Sequence, residues 1–401
     1  MGAKLQTLKG FRDYLPEEKR RRDLATQKIR NVFERHGFEP LQTPTLEYAE
    51  VILGKYGDEA DRLVYTFKDR GGRKVALPYD LTVPTARVLA QYRQLPKYFR
   101  RYQIQSVFRA EKPQKGRFRE FTQCDVDIFG SREKIADAEI LATAYFTYKE
   151  LGFEKVVLMV NDRKILMSKL PSASIIQTVD KLDKKSEEEV LEEMVIKGLT
   201  KESAQKMLAD LKSTEMNESL REILELAQRL GVPSESLVYS PTLARGLDYY
   251  TGMIFEVKIP ETDMGSFGGG GRYDELIGRL GGKDTPAVGF AVGFDRVMEA
   301  LVKNTDDNGD KILVTVFDKE TVNYSMEAAF RLRAANLKVE IYPAFDKLRY
   351  QISYASKNGF LKILIVGPDE IKSGKYTLKD LKSGNQTSLA LDEISLTLEN
   401  K

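Results

Sequence analysis

The sequence predicts an α+β domain that is interrupted by a helical insertion and followed by a small α/β domain. Three patterns predict this: strand-like runs before residue 170, highly charged helical patterns after it, and β-α-β-α-β order in the last ninety or so residues. The 401 residues, 42% of them hydrophobic, suffice for two or three domains with a sizeable core. The expected boundaries are 1–169 and 234–302 for the two parts of the first domain, 170–233 for the insertion, 303–311 for a linker, and 312–401 for the last domain.

The first elements follow from proline and glycine positions and from alternation. A helix is predicted from Pro16 to His36, because proline suits a first helical turn and Gly37 suits the C-terminal cap. "FEPLQTPTLE" then indicates extended chain, because it contains Pro40 and Pro44. Alternating, β-branched and aromatic residues predict strands in four further runs: "RLVYTFKD", "RKVALPYD", "YQIQSVFRAE" and "FTQCDVDIFG".

The middle of the chain is predicted to be helical. "KIADAEILATAYFTYKELGF" indicates an amphipathic helix that ends near Gly152. In the insertion, Ser186 and Glu189 form a capping-box pattern, and Gly231 with Pro233 forms a stop.

After the insertion, strand character returns. "MIFEVKIP" predicts a strand, the glycine-rich run 265–271 predicts a loop, and "AVGFAVGFDRVMEAL" predicts a strand that leads into a helix. The polar segment "KNTDDNGDK" is the best linker candidate. The β-α-β-α-β order that follows favours a largely parallel sheet.

Composition limits the possible chemistry. Cys124 is the sole cysteine, which rules out disulfides within the chain and a thiolate zinc cluster, and favours a cytoplasmic protein. His36 is the sole histidine, and we interpret it as a cation at a helix C-terminus. The sequence has neither a long apolar run nor a signal-peptide core, so no membrane association is expected. Catalysis would depend on Arg, Lys, Asp, Glu and bound Mg²⁺, groups that suit phosphate chemistry.

The densest group of charged side chains is "FRAEKPQKGRFREFTQCDVDIFG", residues 108–130. A hairpin here would place Arg109 on one strand and Phe121 and Gln123 on the other. Together they could form the floor of a nucleotide-binding site, with the arginine at the phosphate. A basic, solvated hairpin is an equally open interpretation. The glycine-rich run 265–271 is a weak nucleotide motif, because it lacks a P-loop ending, and close approach of backbone to a small ligand is the alternative.

Several segments in order resemble class II aminoacyl-tRNA synthetases. "FRAEKPQKGRFREFTQ" resembles motif 2, "GFEPLQTPTLE" motif 1 with Pro44 in its hallmark position, and "GFAVGFDRVM" motif 3 with Arg296 as its arginine. "LARGLDYYTG" is similar to the motif specific to histidyl-tRNA synthetases, and "KGFRDYLPEE", "YDLTVPTAR" and "VNDRKIL" match that family too. The resemblance spans nearly the whole chain.

This resemblance implies a fold and a reaction. The fold is an antiparallel sheet flanked by helices, a helical insertion and an α/β anticodon-binding domain, in a homodimer formed largely through motif 1. In the reaction, L-histidine attacks the α-phosphate of ATP, with Mg²⁺ bridging phosphate oxygens, to give histidyl-adenylate and pyrophosphate. The histidyl group then passes to the terminal adenosine of histidine tRNA.

The resemblance also implies residue roles. Arg109 and Arg245 would be catalytic, clamping the α-phosphate and the substrate carboxylate. The ATP-binding residues would be Arg109, Glu111, Arg117, Phe121 and Arg296, with Arg119 as an alternative to Arg117. The histidine-binding residues would be Asp80, Leu81, Thr82, Arg109, Gln123, Asp127, Arg245, Tyr249 and Tyr250. Within that set Asp127 and Tyr250 would contact the imidazole nitrogens, and Asp80, Thr82 and Gln123 the α-amino group.

Some positions depart from the pattern common in bacterial members. "DLT" at 80–82 stands for Glu-Gly-Thr, Asp127 for a longer carboxylate, and Thr122 for a histidine, whereas "KPQKGR" looks bacterial. The imidazole contacts therefore stay open, and Gln114 is the candidate contact for the extra 5′ guanosine of histidine tRNA.

Two other functions stay open. One is an inactive paralogue, such as a histidine-sensing regulatory subunit of ATP phosphoribosyltransferase or the sensor region of a kinase. The other is a tRNA-binding protein without activation chemistry. Such paralogues typically lose the histidine-motif arginine or the anticodon domain, whereas this chain has Arg109, Arg245, Arg296 and a complete C-terminal domain.

Overall fold

The computed structural model describes residues 5–54, 61–112, 118–246, 249–262, 264–301 and 311–399. The chain folds into two compact units, Met1–Val302 and Lys303–Lys401. No helix in these described ranges is both long enough and apolar enough to cross a membrane.

The first unit contains the described strands β1 (Glu39–Pro40), β2 (Glu47–Tyr48), β3 (Thr66–Lys68), β4 (Lys74–Ala76), β5 (Phe99–Phe108), β6 (Glu120–Phe129), β7 (Val157–Asp162), β8 (Leu237–Tyr239), β9 (Met253–Lys258), β10 (Gly268–Arg272) and β11 (Ala287–Val292). Its described helices are α1 (Pro16–Arg35), α2 (Ala49–Ile52), α3 (Thr82–Gln91), α4 (Lys134–Leu151), α5 (Arg163–Lys169), α6 (Ala173–Val179), α7 (Glu187–Ile196), α8 (Lys201–Lys212), α9 (Glu218–Arg229), α10 (Leu276–Arg279) and α11 (Phe294–Ala300). Short 3₁₀ turns lie at Asp180–Asp183 and Ser234–Ser236.

An eight-stranded sheet in the order β1-β5-β6-β11-β10-β9-β7-β8 organises this unit. The β1–β5 and β7–β8 pairs at its edges are parallel, and the pairs between them are antiparallel. The strands β2, β4 and β3 form a separate small sheet. The sheet implied by the resemblance is therefore present with an antiparallel centre, but as a whole it is mixed.

Two long helices cover one face of the large sheet. The helix α1 begins at Pro16 as predicted and ends at Arg35, with His36 as its cap and Gly37 at a φ of 74°. Glu139 of α4 lies 3.2 Å from the His36 ring nitrogen, so His36 has a structural partner. The helices α1 and α4 share one hydrophobic core with the strands beneath them, which gives the sheet a rigid support.

The predicted capping box begins α7. Glu189 N donates to Ser186 Oγ at 3.3 Å, and Ser186 N donates to Glu189 Oε2 at 2.9 Å. The helices α6, α7 and α8 pack in a second core cluster, whereas Leu220 and Ile223 of α9 belong to the α1–α4 core. The last helix of the predicted insertion is therefore an integral part of the main core.

The glycine-rich run was predicted to be a loop, and this prediction is wrong for residues 268–271. They form β10 in the middle of the large sheet, paired with β9 and β11. Glycine usually weakens a strand, but it also marks places where backbones approach closely. A Cβ on Gly270 would come within 3.0 Å of the backbone oxygen of Gly289 on β11, so glycine is required here by the close packing of the strands.

The second unit contains, among its described residues, strands β12 (Ile312–Val314), β13 (Val339–Ile341), β14 (Lys362–Ile365), β15 (Tyr376–Asp380) and β16 (Gln386–Leu389) and helices α12 (Val322–Ala334), α13 (Leu348–Lys357), α14 (Pro368–Ser373) and α15 (Leu391–Glu399). The predicted β-α-β-α-β order is confirmed for β12 to β14, which pair in parallel. The sheet continues with an antiparallel hairpin, β15–β16, that was not predicted from the sequence. The half-exposed and exposed faces of this hairpin lack the apolar runs that identify buried strands.

Candidate active site

A cavity of about 810 Å³ lies against the central strands of the large sheet. Phe121, Gln123, Asp125 and Asp127 alternate along β6 and line it, whereas the intervening Cys124 faces the hydrophobic core. Period-two alternation explains this division, because successive side chains of a strand point to opposite faces. The volume is within the usual range for small-molecule sites, roughly 300–1,000 Å³.

Arg109 follows β5 at the cavity wall. Its backbone N–H donates to Arg119 O at 2.9 Å, which extends the β5–β6 pairing beyond the strands. Its Nε donates to Tyr79 O at 3.1 Å, and its guanidinium lies 4.4 Å from the Tyr79 ring centre and 5.0 Å from that of Phe121. These contacts place a permanent positive charge between two aromatic rings at the cavity.

Arg245 lines the same cavity from the segment before β9. Its Nη1 donates to Phe255 O at 3.2 Å and lies 3.5 Å from Glu256 Oε1. The side chain crosses β10 above Gly269, where a Cβ would come within 3.0 Å of Nη1. The glycine-rich strand thus makes room for the guanidinium. Gly268 and Gly269 also line the cavity, so a direct contact between this backbone and a ligand stays a prediction.

Three tyrosines and Asp127 form one end of the cavity. The Tyr249 ring centre lies 4.8 Å from that of Tyr250 and 5.6 Å from that of Tyr273. The Tyr273 hydroxyl donates to Asp127 Oδ1. Tyr273 was not predicted from the sequence, although it directly follows the glycine-rich strand, because its partner on β6 is 146 residues away.

The residues expected near the substrate amino group lie just before α3, at its first residue and on β6. Asp80 Oδ1 accepts the backbone N–H groups of Thr82 and Val83, each at 3.1 Å, and so caps the start of α3. Asp80 and Thr82 line the cavity. Leu81 between them is fully buried and is not among the described residues that line the cavity, so its contact with histidine stays a prediction.

Gln123 is 8% exposed and presents an unused acceptor to the cavity. Its Nε2 donates to Asp125 Oδ1 at 3.3 Å, but its Oε1 has no hydrogen-bond partner within the described part of the chain. A buried amide oxygen without a partner is costly. The position therefore suits a ligand that donates hydrogen bonds, such as an ammonium group.

Glu111, Phe121 and Arg296 line another part of the cavity. Arg296 of α11 donates to Ser266 O, which ties this helix to the segment before β10. Arg119 donates to Glu111 O at 3.1 Å and to Lys9 O at 3.3 Å, so it has a structural role in the hairpin. Gln114 and Arg117 fall outside the described residues.

Buried acids give the cavity an unusual electrostatic balance. Burial raises the pKa of Asp125 well above its ordinary range, and Arg101 opposes this rise. Burial also raises the pKa of Asp127, against the opposing effects of Arg101 and the Tyr273 hydrogen bond. Arg101 and Asp125 were not predicted as site residues. The available signal was their even spacing from predicted residues, Arg101 from Arg109 and Asp125 from Gln123 and Asp127.

The insertion also reaches the cavity. Asp183 and Lys184, which follow α6, are among the lining residues. Asp180, at the start of the same 3₁₀ turn, would contact a Cβ placed on Gly246 next to Arg245.

No cluster of three or more His, Cys, Asp or Glu side chains suited to a metal occurs in the described ranges.

Comparisons with known proteins identify the relatives of both units. The histidyl-tRNA synthetase family model matches residues 10–297, and the anticodon binding domain model matches residues 310–401. A histidine–tRNA ligase of Cytophaga hutchinsonii is 36% identical over 96% of this chain and 97% of its own length. One from Aeropyrum pernix is 37% identical over 99% of this chain and 98% of its own. The crystal structure of histidyl-tRNA synthetase from Nostoc superposes with a TM-score of 0.84 at 28% identity and covers all of both chains.

Proposed function

Because the chain belongs to the histidyl-tRNA synthetase family, we propose that it is a histidine–tRNA ligase. It activates L-histidine with ATP to give histidyl-adenylate and pyrophosphate. It then transfers the histidyl group to the 3′ end of histidine tRNA. The observation that carries the proposal is one cavity that combines Arg109, Arg245 and Arg296 with the Asp127 and tyrosine wall.

The first step brings two anions together, the substrate carboxylate and the α-phosphate. Arg109 and Arg245 neutralise this charge from two separate segments of chain, and their contacts with Tyr79 O and Phe255 O hold them in place before the substrates arrive. Preorganised donors of this kind contribute roughly 10²–10³ each in rate in comparable enzymes.

The histidine side chain binds at the tyrosine end of the cavity. A neutral imidazole has one N–H donor and one acceptor nitrogen. Asp127 accepts the ring N–H, and the Tyr250 hydroxyl donates to the other nitrogen. Gln123, Asp80 and Thr82 hold the α-amino group, for which the unpartnered Gln123 Oε1 is a suitable acceptor.

ATP occupies the part of the cavity lined by Phe121. Its adenine stacks on Phe121 and contacts Glu111, while Arg296, with Arg117, holds the γ-phosphate. Mg²⁺ enters with ATP as part of the substrate.

The second unit and the dimer complete the proposal. The anticodon binding domain match at residues 310–401 supports binding of histidine tRNA by this unit, and Gln114 is the candidate contact for its 5′ end. We further propose a homodimer formed through the segment around Pro44 and a cytoplasmic location. Size-exclusion chromatography with light scattering tests the dimer.

Histidine-dependent exchange of labelled pyrophosphate into ATP tests the activity. The wild-type chain should catalyse exchange with L-histidine but not with glutamine or phenylalanine, and should aminoacylate histidine tRNA. Histidine binding without exchange would instead favour a regulatory paralogue. Exchange without charging of tRNA would limit the function to adenylation.

A further inference from the structure

Arg101 has an unusual location for an arginine. It is 0% exposed and is the largest of the fully buried side chains in the described part of the chain. It lies on β5 directly opposite Asp127 on β6, and its Nη2 is 2.5 Å from Asp127 Oδ2. Burying such a pair costs desolvation energy that its attraction often does not recover, so stability alone is a weak reason to keep it.

The surroundings hold the Asp127 carboxylate from several sides. Arg101 contacts Oδ2 from β5, and the Tyr273 hydroxyl donates to Oδ1. On the other neighbouring strand, β11, the residue opposite Asp127 is Gly289, where a Cβ would come within 3.0 Å of Oδ1. Space and contacts therefore leave this carboxylate little freedom to turn away from the cavity that it lines.

Arg101 also balances the charge of this end of the cavity. Asp80, Asp125 and Asp127 are each at most 5% exposed and all line the cavity. The charged and titratable groups that interact with Asp127 are Arg101, Asp80, Asp125 and the hydroxyls of Tyr250 and Tyr273. Without Arg101, three carboxylates would share a poorly solvated space, and protonation of one of them would be favoured.

We propose that Arg101 is a positioning residue for histidine selection: it keeps Asp127 ionised and correctly oriented, so that the carboxylate accepts the imidazole N–H. It also offsets the charge of Asp127, so that the pocket binds neutral imidazole by hydrogen bonds and does not simply attract a cation. This inference rests on the proposed function, in which Asp127 contacts the histidine ring. Arg101 itself is not among the described residues that line the cavity.

The test uses the full-length protein and L-histidine as the titrant in calorimetry, which does not require catalysis. Arg101→Met removes the charge at similar length, and Arg101→Lys keeps it. A matched control is Arg272→Met, which breaks another buried arginine–aspartate pair, with Asp137, neither of which is among the described residues that line the cavity. We expect Arg101→Met to weaken histidine binding by about tenfold or more, because a protonated or displaced Asp127 no longer accepts a charge-assisted hydrogen bond from the imidazole N–H. Arg101→Lys should fall between it and wild type, and Arg272→Met should bind normally.

A pH series separates positioning from general structural damage. In Arg101→Met the pKa of Asp127 is expected to rise, so the neutral acid, which cannot accept the ring N–H at its protonated oxygen, becomes more populated. The affinity ratio of variant to wild type should therefore recover as pH rises from about 6 to about 8.5, and this ratio cancels the titration of histidine itself. The ratio for Arg101→Lys should stay flat.

Several outcomes would overturn the inference: an unchanged affinity in folded Arg101→Met, an equal loss in Arg272→Met, or a pH-independent ratio for Arg101→Met. If Arg101→Met does not fold, Arg101→Met/Asp127→Asn replaces both charges at once. It should then bind histidine as weakly as Asp127→Asn alone, and a further loss would show that Arg101 acts independently of Asp127. Histidine binding by wild type without pyrophosphate exchange would refute the ligase activity but leave the Arg101 test intact.

Discussion

Gly269→Ala tests the link between the glycine-rich strand and the arginine above it. A Cβ at this position would come within 3.0 Å of Arg245 Nη1 and of Phe255 O on the neighbouring strand β9. The arginine tip can rotate away, but Phe255 O is backbone within a paired strand and cannot. The substitution therefore pushes on the Arg245 guanidinium and on the β9–β10 pairing at the same time.

The two effects have different sizes. Overpacking in a well-packed region typically costs about 1–3 kcal/mol of stability. Because Gly269 pairs directly with Glu256 in the centre of the sheet, a value in the upper part of this range is expected. Displacing Arg245 from its proposed position at the α-phosphate should in addition lower the rate of adenylation by roughly 10²-fold or more.

Histidine-dependent pyrophosphate exchange, measured well below the thermal midpoint of each variant, separates rate from stability. Gly278→Ala is the matched control, because a Cβ there has no atom within 4 Å and the backbone needs no positive φ. It should be stable and fully active. Wild-type exchange by folded Gly269→Ala would refute the idea that this glycine makes room for a catalytic guanidinium.

Three other substitutions test separate features. Arg245→Met should lower kcat for exchange by roughly 10²–10³ with the circular dichroism spectrum unchanged; normal exchange would remove this residue from the chemistry. Arg272→Met should lower the free energy of unfolding in urea by about 3–5 kcal/mol, because Asp137 would stay buried without its partner; a loss below about 1 kcal/mol would mean that the pair is effectively solvated. Burial, and then Glu256, raises the pKa of Asp180 from 3.8 to about 6. The folded state therefore holds its proton more tightly, and ionisation destabilises it as pH rises through this window. Asp180→Asn should raise the Tm above about pH 6.5 and leave it unchanged near about pH 3.5; an equal shift at both pH values would contradict this.

Much of the fold was predictable because local patterns and global packing agree. Pro16 and Gly37 bound α1, Ser186 caps α7, and alternation along β5 and β6 identifies both strands of the hairpin. The glycine-rich strand β10 was not predictable in this way. Its residues have low strand propensity, and their strand conformation depends on β9 and β11, which enclose it.

The residues of the candidate site were likewise predictable only in part. Motif resemblance identified Arg109, Arg245, Asp127 and Tyr250, and all four line one cavity; their individual roles stay predictions. It also included Leu81, which the structure buries away from the described cavity lining. A neighbouring position in a motif does not determine which way a side chain points.

By itself, the sequence determined the family, the order of the elements and the set of charged side chains available for chemistry. It did so because caps, turns and strand alternation depend on residues that are near one another in the chain. Only the tertiary structure decided that Arg101 contacts Asp127, that Tyr273 donates to the same carboxylate, and that Gly269 makes room for Arg245. These contacts join different segments of the chain, and their geometry depends on sheet order and register, which local patterns do not specify.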